Sequence, residues 1–259
     1  MSLEFAASND VHHDIDNGVL RVTIERAEKR NALSLGVLEC LRRIFIDAAA
    51  DGSIRVAVLT GAGSKAFASG GDLAELSRYR TREDAEAISR HGRSALDAIR
   101  FFPVPVIARL NGVALGGGAE LALACDLRWA AASATFGFIH ARLRIAAPWG
   151  GGRDLVRLVG SAKALQLMVS AAVLNANESE AIGVIDRVCP RDAGFDPWFE
   201  AHLAAFRMPP RQAMRAYKSI ALSARMPPCA EAERLETEHF CEAWCHEDHW
   251  NAVAQLSKE

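Results

Sequence analysis

Two glycine-rich turns constrain this chain more than any other feature. One is Ala66-Phe67-Ala68-Ser69-Gly70-Gly71-Asp72-Leu73, and the other is Gly112-Val113-Ala114-Leu115-Gly116-Gly117-Gly118-Ala119-Glu120-Leu121. Each comes after a short strand-like run, 55–60 for the first and 104–108 for the second. The strands and helices that flank these turns alternate along the chain, the pattern of an α/β protein. The rest of the chain agrees. Val19-Leu20-Arg21-Val22-Thr23-Ile24 alternates as a strand does, and 35–50 carries apolar residues at helical spacing. A helix is predicted over 85–101, another over 117–125 and a strand over 127–131. The period is too irregular for a solenoid of identical repeats.

The 259 residues are 50% hydrophobic and 24% charged, enough to bury a full core without disulfide staples. Thirty basic against 32 acidic residues leave a formal charge of −2, and no basic run offers the footprint of a nucleic-acid binder. The six cysteines, Cys40, Cys125, Cys189, Cys229, Cys241 and Cys245, are scattered and read as reduced thiols of a cytoplasmic protein. The most apolar stretch, 121–136, contains Asp126 and Arg128, which argues against a membrane span. Residues 1–5 lack the basic and apolar blocks of a targeting peptide. After Pro190 three helices are expected, over 198–206, 211–223 and 229–250, separated by two Met-Pro-Pro breaks. A boundary near residue 195 therefore divides an α/β core (1–195) from a helical region (196–259) that docks on the core or on a neighbouring subunit.

Two motifs have ordinary explanations. Gly61-Ala62-Gly63-Ser64-Lys65-Ala66 matches the dinucleotide fingerprint formally, but Phe67 onward does not open a helix. Cys241, Cys245 and His249 share a helical face, near His239 and His246. Structural zinc sites usually pair ligands across a turn, so an apolar seam is the simpler reading and no metal is expected. The two glycine turns are more informative together than apart. Glycine lets backbone N–H groups approach a ligand closely, and N–H groups from two loops can converge on one developing oxyanion. Tight turns without a ligand would explain either segment alone, but not Glu120 in the first turn behind Gly116–Gly118.

These segments resemble the signature of the crotonase (enoyl-CoA hydratase/isomerase) superfamily. The resemblance extends from Arg26-Ala27-Glu28-Lys29-Arg30-Asn31-Ala32-Leu33 through Cys125-Asp126-Leu127-Arg128 and Ala134-Thr135-Phe136-Gly137 to Pro148-Trp149-Gly150-Gly151. It implies a crotonase-like fold of repeated ββα units with a C-terminal helical region, and a homotrimer or pair of trimers acting on an acyl-CoA without a cofactor. It implies that the N–H groups of Gly71 and Gly117 form an oxyanion hole for a thioester carbonyl. Glu120 matches the first of the family's two catalytic glutamates, while His140 stands where the second is found. For CoA itself the resemblance points to Lys29, Arg30, Ser69, Gly70, Asp72 and Leu73, although surface charge alone also explains Lys29 and Arg30.

His140 decides how the reaction is read. Hydration of an enoyl thioester divides acid and base work between two carboxyl groups, and a histidine at one corner changes charge and reach. Decarboxylation of a malonyl-type thioester needs less, because departing CO₂ generates the enolate and leaves only an oxyanion hole and a proton donor to be supplied. Phe138-Ile139-His140 with Pro148-Trp149-Gly150-Gly151 looks like the ethylmalonyl-CoA decarboxylase branch. The leading expectation is thus a lyase acting on ethylmalonyl- or methylmalonyl-CoA, the alternatives being an enoyl-CoA hydratase/isomerase and a non-catalytic acyl-CoA binder. A serine hydrolase, suggested by the fold's resemblance to Clp-type proteases, lacks a G-x-S-x-G elbow around Ser64 or Ser69.

Overall fold

A computed structural model describes residues 6–79 and 81–223. The chain enters through a hairpin of β1 (Val11–Asp16) and β2 (Val19–Ile24), paired in full from Val11↔Ile24 to Asp16↔Val19. Asn17 and Gly18 turn it with φ of 49° and 77°, the positive values a two-residue hairpin turn needs. Helix α1 (Leu35–Ala48) starts at Ser34, whose side chain accepts from the Val37 N–H.

Three ββα turns then follow one another. The first is β3 (Val56–Gly61) and β4 (Ala66–Ala68) with the short α2 (Leu73–Leu76) and the long α3 (Arg82–Arg100). The second is β5 (Val106–Leu110), β6 (Val113–Leu115) and α4 (Gly117–Ala124). In the third, β7 (Leu127–Ala130) and β8 (Thr135–Gly137) lead through a 3-10 turn, Ile139–Leu143, to α5 (Gly151–Val159). Helix α6 (Ser161–Ser170), β9 (Val173–Asn175), α7 (Ala176–Ala181), β10 (Arg187–Val188), α8 (Phe195–Arg207) and α9 (Arg211–Ser223) complete the described chain.

The first strand of every turn joins one sheet and the second strand joins another. The larger sheet runs β1-β2-β3-β5-β7-β10 and the smaller β4-β6-β8-β9. Pairing is parallel except at β1–β2 and β8–β9, so the units stack as a spiral with corresponding loops side by side. Most expected elements lie within one to three residues of these bounds. Strand β5 starts at Val106 and not at residue 104, because Pro103 and Pro105 have no N–H to give a ladder; Pro105 contributes only its carbonyl, to the Ala57 N–H. The predicted helix 229–250 lies outside the described residues.

Strand alternation sends residues to two cores. Val56, Val58 and Ile107 pack with Trp129 against Phe199 and Leu203 of α8, while Ala57, Leu59 and Ala108 face the main core. Two buried asparagines hold the connection from β3 to β4. The Asn111 side-chain amide donates to the carbonyls of Gly61, Gly63 and Ala66, and that of Asn31 donates to Ala62 and Ala66. Buried carbonyls with no other partner would cost free energy, so these amides fix the strand that leads into the first glycine turn.

On α1, Arg42 and Arg43 clasp the buried Glu39 carboxylate. Arg42 bonds both of its oxygens at 2.9 Å and Arg43 one at 2.6 Å. Hydrogen bonding by Arg42 is the strongest influence and, helped by Arg43 against the opposing effect of burial, lowers the Glu39 pKa from 4.5 to about 2. A carboxylate with a depressed folded-state pKa stabilises the fold above the ordinary value and loses that contribution as pH falls through the lower one. Glu39→Gln is therefore expected to lower stability near neutrality, with the gap to the parent protein closing between about pH 4.5 and about pH 2. Urea titrations at a series of pH values measure this, and a gap independent of pH would contradict it.

Candidate active site

Strands β4 and β6 are neighbours in the smaller sheet, so the glycine turns that follow them emerge together. Gly70 and Gly116 have φ of 117° and 55°, a region that side-chain-bearing residues rarely adopt. A Cβ built on Gly70 would sit 3.8 Å from the Gly117 nitrogen. Residues 30–33 run along the outer side of the first turn. The Leu33 N–H donates to the Gly70 carbonyl and the Asp72 N–H donates to the Leu33 carbonyl, at 2.8 and 2.9 Å. In such a parallel bridge the flanking residues make the bonds, which leaves the N–H of Gly71 turned away from Leu33. The Gly117 N–H opens α4, where a helix leaves its first N–H groups without an intrahelical partner.

Glu120 follows in the first turn of α4 and is fully buried. Its Oε1 accepts from the backbone N–H groups of Trp149 and Gly151, at 2.9 and 3.1 Å. Its Oε2 lies 3.3 Å from His140 Nε2. Glycine is needed at position 151, since a Cβ there would lie 2.6 Å from Glu120 Cγ. His140, 8% exposed, sits in the 3-10 turn after β8 beside the Phe138 ring. Among the described residues, Glu120 Oε2, His140 Nδ1 and Trp149 Nε1 are buried polar atoms without a hydrogen-bond partner. Buried polar groups nearly always find partners, so their concentration in one place marks it as a site.

Of the four residues expected to do chemistry, Glu120 and His140 lie 3.3 Å apart, Gly117 opens the helix that carries Glu120, and Gly71 lies on the neighbouring turn against the same Trp149 ring as Gly117. The residues expected to meet CoA adjoin them. Lys29 and Arg30 are exposed, and the Arg30 carbonyl accepts from the Ser69 N–H, so both lie next to the turn containing Ser69, Gly70, Asp72 and Leu73. Asp72 is anchored by Arg26, whose guanidinium donates to it at 2.8 Å and to the Ala32 carbonyl at 2.6 Å. Burial alone would raise the Asp72 carboxyl, but Arg26 and the Glu75 N–H outweigh it and hold the group below its usual range.

The formal dinucleotide match does not open a helix: Gly61 ends β3 and Ala66 begins β4. Cys241, Cys245 and His249 lie outside the described residues; within those residues no cluster of three or more His, Cys, Asp or Glu side chains is suited to a metal. None of the described helices is long and apolar enough to cross a membrane. The sequence placed Trp149 and Gly151 only within a signature motif, with the 138–149 segment beside the acyl pocket, and gave no role to Gly92 or Arg100. Trp149 lies against Gly71, Gly117 and Gly92, and Arg100 donates to the Trp149 carbonyl and to Asp154. Gly92, a lone glycine inside the helical pattern of α3, was a usable signal, because such a residue weakens a helix unless close packing requires it.

Paired glycine turns with a carboxyl group behind them, on stacked ββα units, define a protein of the crotonase fold. The family model described as enoyl-CoA hydratase/isomerase matches residues 14–253, and the chain belongs to that family. It is 30% identical over 240 residues, 93% of this chain and 92% of the other, to a Bacillus subtilis (strain 168) protein named probable enoyl-CoA hydratase. It is 37% identical over 173 residues, 67% of this chain, to the mitochondrial methylglutaconyl-CoA hydratase of Mus musculus. That match spans 55% of the mouse protein, and several other curated relatives are matched over 51–64% of their length. A crystal structure of an enoyl-CoA hydratase from Bacillus anthracis superposes with a TM-score of 0.88 at 28% identity, covering 96% of both chains. These relatives are hydratases by name and lend no support to the decarboxylase branch that the sequence motifs suggested.

Arg100 and Asp154, 8% and 6% exposed in their side chains, form a buried pair at 2.7 Å behind the Trp149 loop. Breaking such a pair strands a charge, so Arg100→Met is expected to lower the unfolding free energy by about 3–5 kcal/mol. The exposed Arg82–Glu86 pair is the control, and Arg82→Met should cost less than about 1 kcal/mol. Denaturant unfolding of both variants compares them, and equal losses would refute the ranking.

Proposed function

We propose that this chain is an acyl-CoA enzyme of the hydro-lyase type. The thioester carbonyl oxygen accepts from the N–H groups of Gly71 and Gly117, which stabilise the enolate as negative charge develops. Glu120 and His140 handle the proton at the carbon beside the carbonyl. One observation carries this reading: a buried carboxyl group whose Oε1 is fixed by two backbone N–H groups while its Oε2 faces His140 Nε2 at 3.3 Å, directly behind Gly117. The fixed oxygen sets the direction of the free one, as positioned acid–base chemistry requires. In hydration, a water adds its oxygen to the β-carbon of a 2-enoyl thioester and a proton reaches the α-carbon, with Glu120 and His140 as the exchanging pair. The names of the family members support hydration. The chemistry needs no cofactor, and the CoA moiety falls to Lys29, Arg30 and the 69–73 turn. The homotrimer or pair of trimers implied by the family resemblance is the assembly we propose.

His140 in place of a second carboxyl group favours a second reading, decarboxylation of ethylmalonyl- or methylmalonyl-CoA. There CO₂ leaves with its bond electrons passing to the enolate, and His140 or Glu120 returns a proton. Turnover of crotonyl-CoA, followed by loss of enoyl absorbance, and of the two malonyl-type thioesters, followed by CO₂ release, separates the readings. Hydration should dominate. Dominant CO₂ release would replace it with decarboxylation, and binding without any turnover would leave a non-catalytic acyl-CoA binder.

Glu120→Gln keeps an acceptor for the Trp149 and Gly151 N–H groups but cannot exchange the proton. It should lower kcat roughly 10²-fold or more with little change in thermal stability. Undiminished turnover would remove Glu120 from the mechanism. Proline at position 117 is a poorer probe, since its Cβ would collide with the Trp149 ring as well as removing the N–H.

A further inference from the structure

We propose that the Trp149 indole closes the acyl end of this site and confines the enzyme to short acyl groups, an inference that rests on the acyl-CoA reading above. The ring is 3% exposed and lies in a cradle of backbone from three separate elements. A Cβ on Gly92 of α3 would collide with Nε1, and one on Gly117 would collide with Cζ3. A Cβ on Gly71 would come within 3.8 Å of Cη2. The indole therefore spans from the two glycines assigned to the thioester carbonyl across to α3. Leu76 adds to this wall, its Cδ1 lying 2.8 Å from where a Gly71 Cβ would be.

The loop bearing the ring is held on several sides. Its Trp149 N–H donates to Glu120, its Trp149 carbonyl accepts from Arg100, and the Pro148 carbonyl accepts from Ser89 and Arg93 of α3. A backbone shift that carried the ring away would break the bonds that position Glu120. A buried tryptophan N–H usually has an acceptor, yet Nε1 has none among the described residues. What the indole contributes here is volume. With the carbonyl between Gly71 and Gly117 and the α-carbon beside Glu120 and His140, the first few acyl carbons would run along the ring. A longer straight chain directed toward α3 must displace it, and protein interiors resist added methylenes.

Isothermal titration of the full chain with butyryl-, hexanoyl-, octanoyl- and dodecanoyl-CoA tests this without depending on which reaction is catalysed. Butyryl-CoA should bind best, and octanoyl-CoA roughly tenfold or more weaker. In Trp149→Ala the longer chains should bind as well as the short one, and Trp149→Phe, a smaller change that serves if the alanine variant does not fold, should gain chiefly at hexanoyl. Equal affinities across the series in the parent protein, or an unaltered length profile in the folded variants, would overturn the proposal while leaving the acyl-CoA reading intact. Failure of all four thioesters to bind would remove both.

Discussion

The buried Glu120 carboxyl group is the interaction around which this molecule is organised. Placing a carboxyl group in the interior costs free energy unless its oxygens find donors. Here the donors are two backbone N–H groups at the start of α5, so α4 and α5 must meet in one arrangement. That demand spreads outward. The Trp149 loop is held in turn by Arg100, Ser89 and Arg93 of α3, and Arg100 is neutralised by Asp97 and Asp154. One carboxyl group thereby ties together helices from all three ββα turns.

The stacked architecture makes this economical. Because each turn of chain lays one strand in each sheet, equivalent loops fall side by side, and the two glycine turns meet without any long excursion. Their separation is set by the β4–β6 pairing and by the amides of Asn31 and Asn111, which satisfy the carbonyls between β3 and β4. Arg26 supplies the outer brace through Asp72 and the Ala32 carbonyl. The N–H groups of Gly71 and Gly117 are thus positioned by polar bonds made elsewhere, the preorganisation that the proposed charge stabilisation requires.

Trp149 joins the two halves of the site. Its main chain positions the Glu120 carboxyl group, while its ring packs against Gly71, Gly117 and α3. The setting of the carboxyl group and the packing around the glycine turns are coupled through one residue. Glycines at 92 and 117 are the other half of that coupling, because any side chain there would occupy the volume of the ring, while one at 71 would meet Leu76.

Much of this was legible in the sequence. A period-two run marked Val19–Ile24, compact apolar runs marked the central strands, helical spacing marked α1, α3, α8 and α9, and two of the candidate residues, Glu120 and His140, lie 3.3 Å apart. The hairpin strand β1 and the three-residue strands of the smaller sheet were not read as elements. Short strands carry too little period to register, although Asn17-Gly18 signalled the hairpin. What the sequence by itself determined was the alternation of strands with helices and the types of chemically competent residues, since these follow from local periodicity and side-chain chemistry. Only the tertiary structure decided that Glu120 is held by the Trp149 and Gly151 N–H groups, that its free oxygen meets His140, and that the indole fills the space between Gly71, Gly92 and Gly117. Those contacts join residues far apart along the chain, and their geometry comes from how the two sheets and their helices stack, which no local pattern encodes.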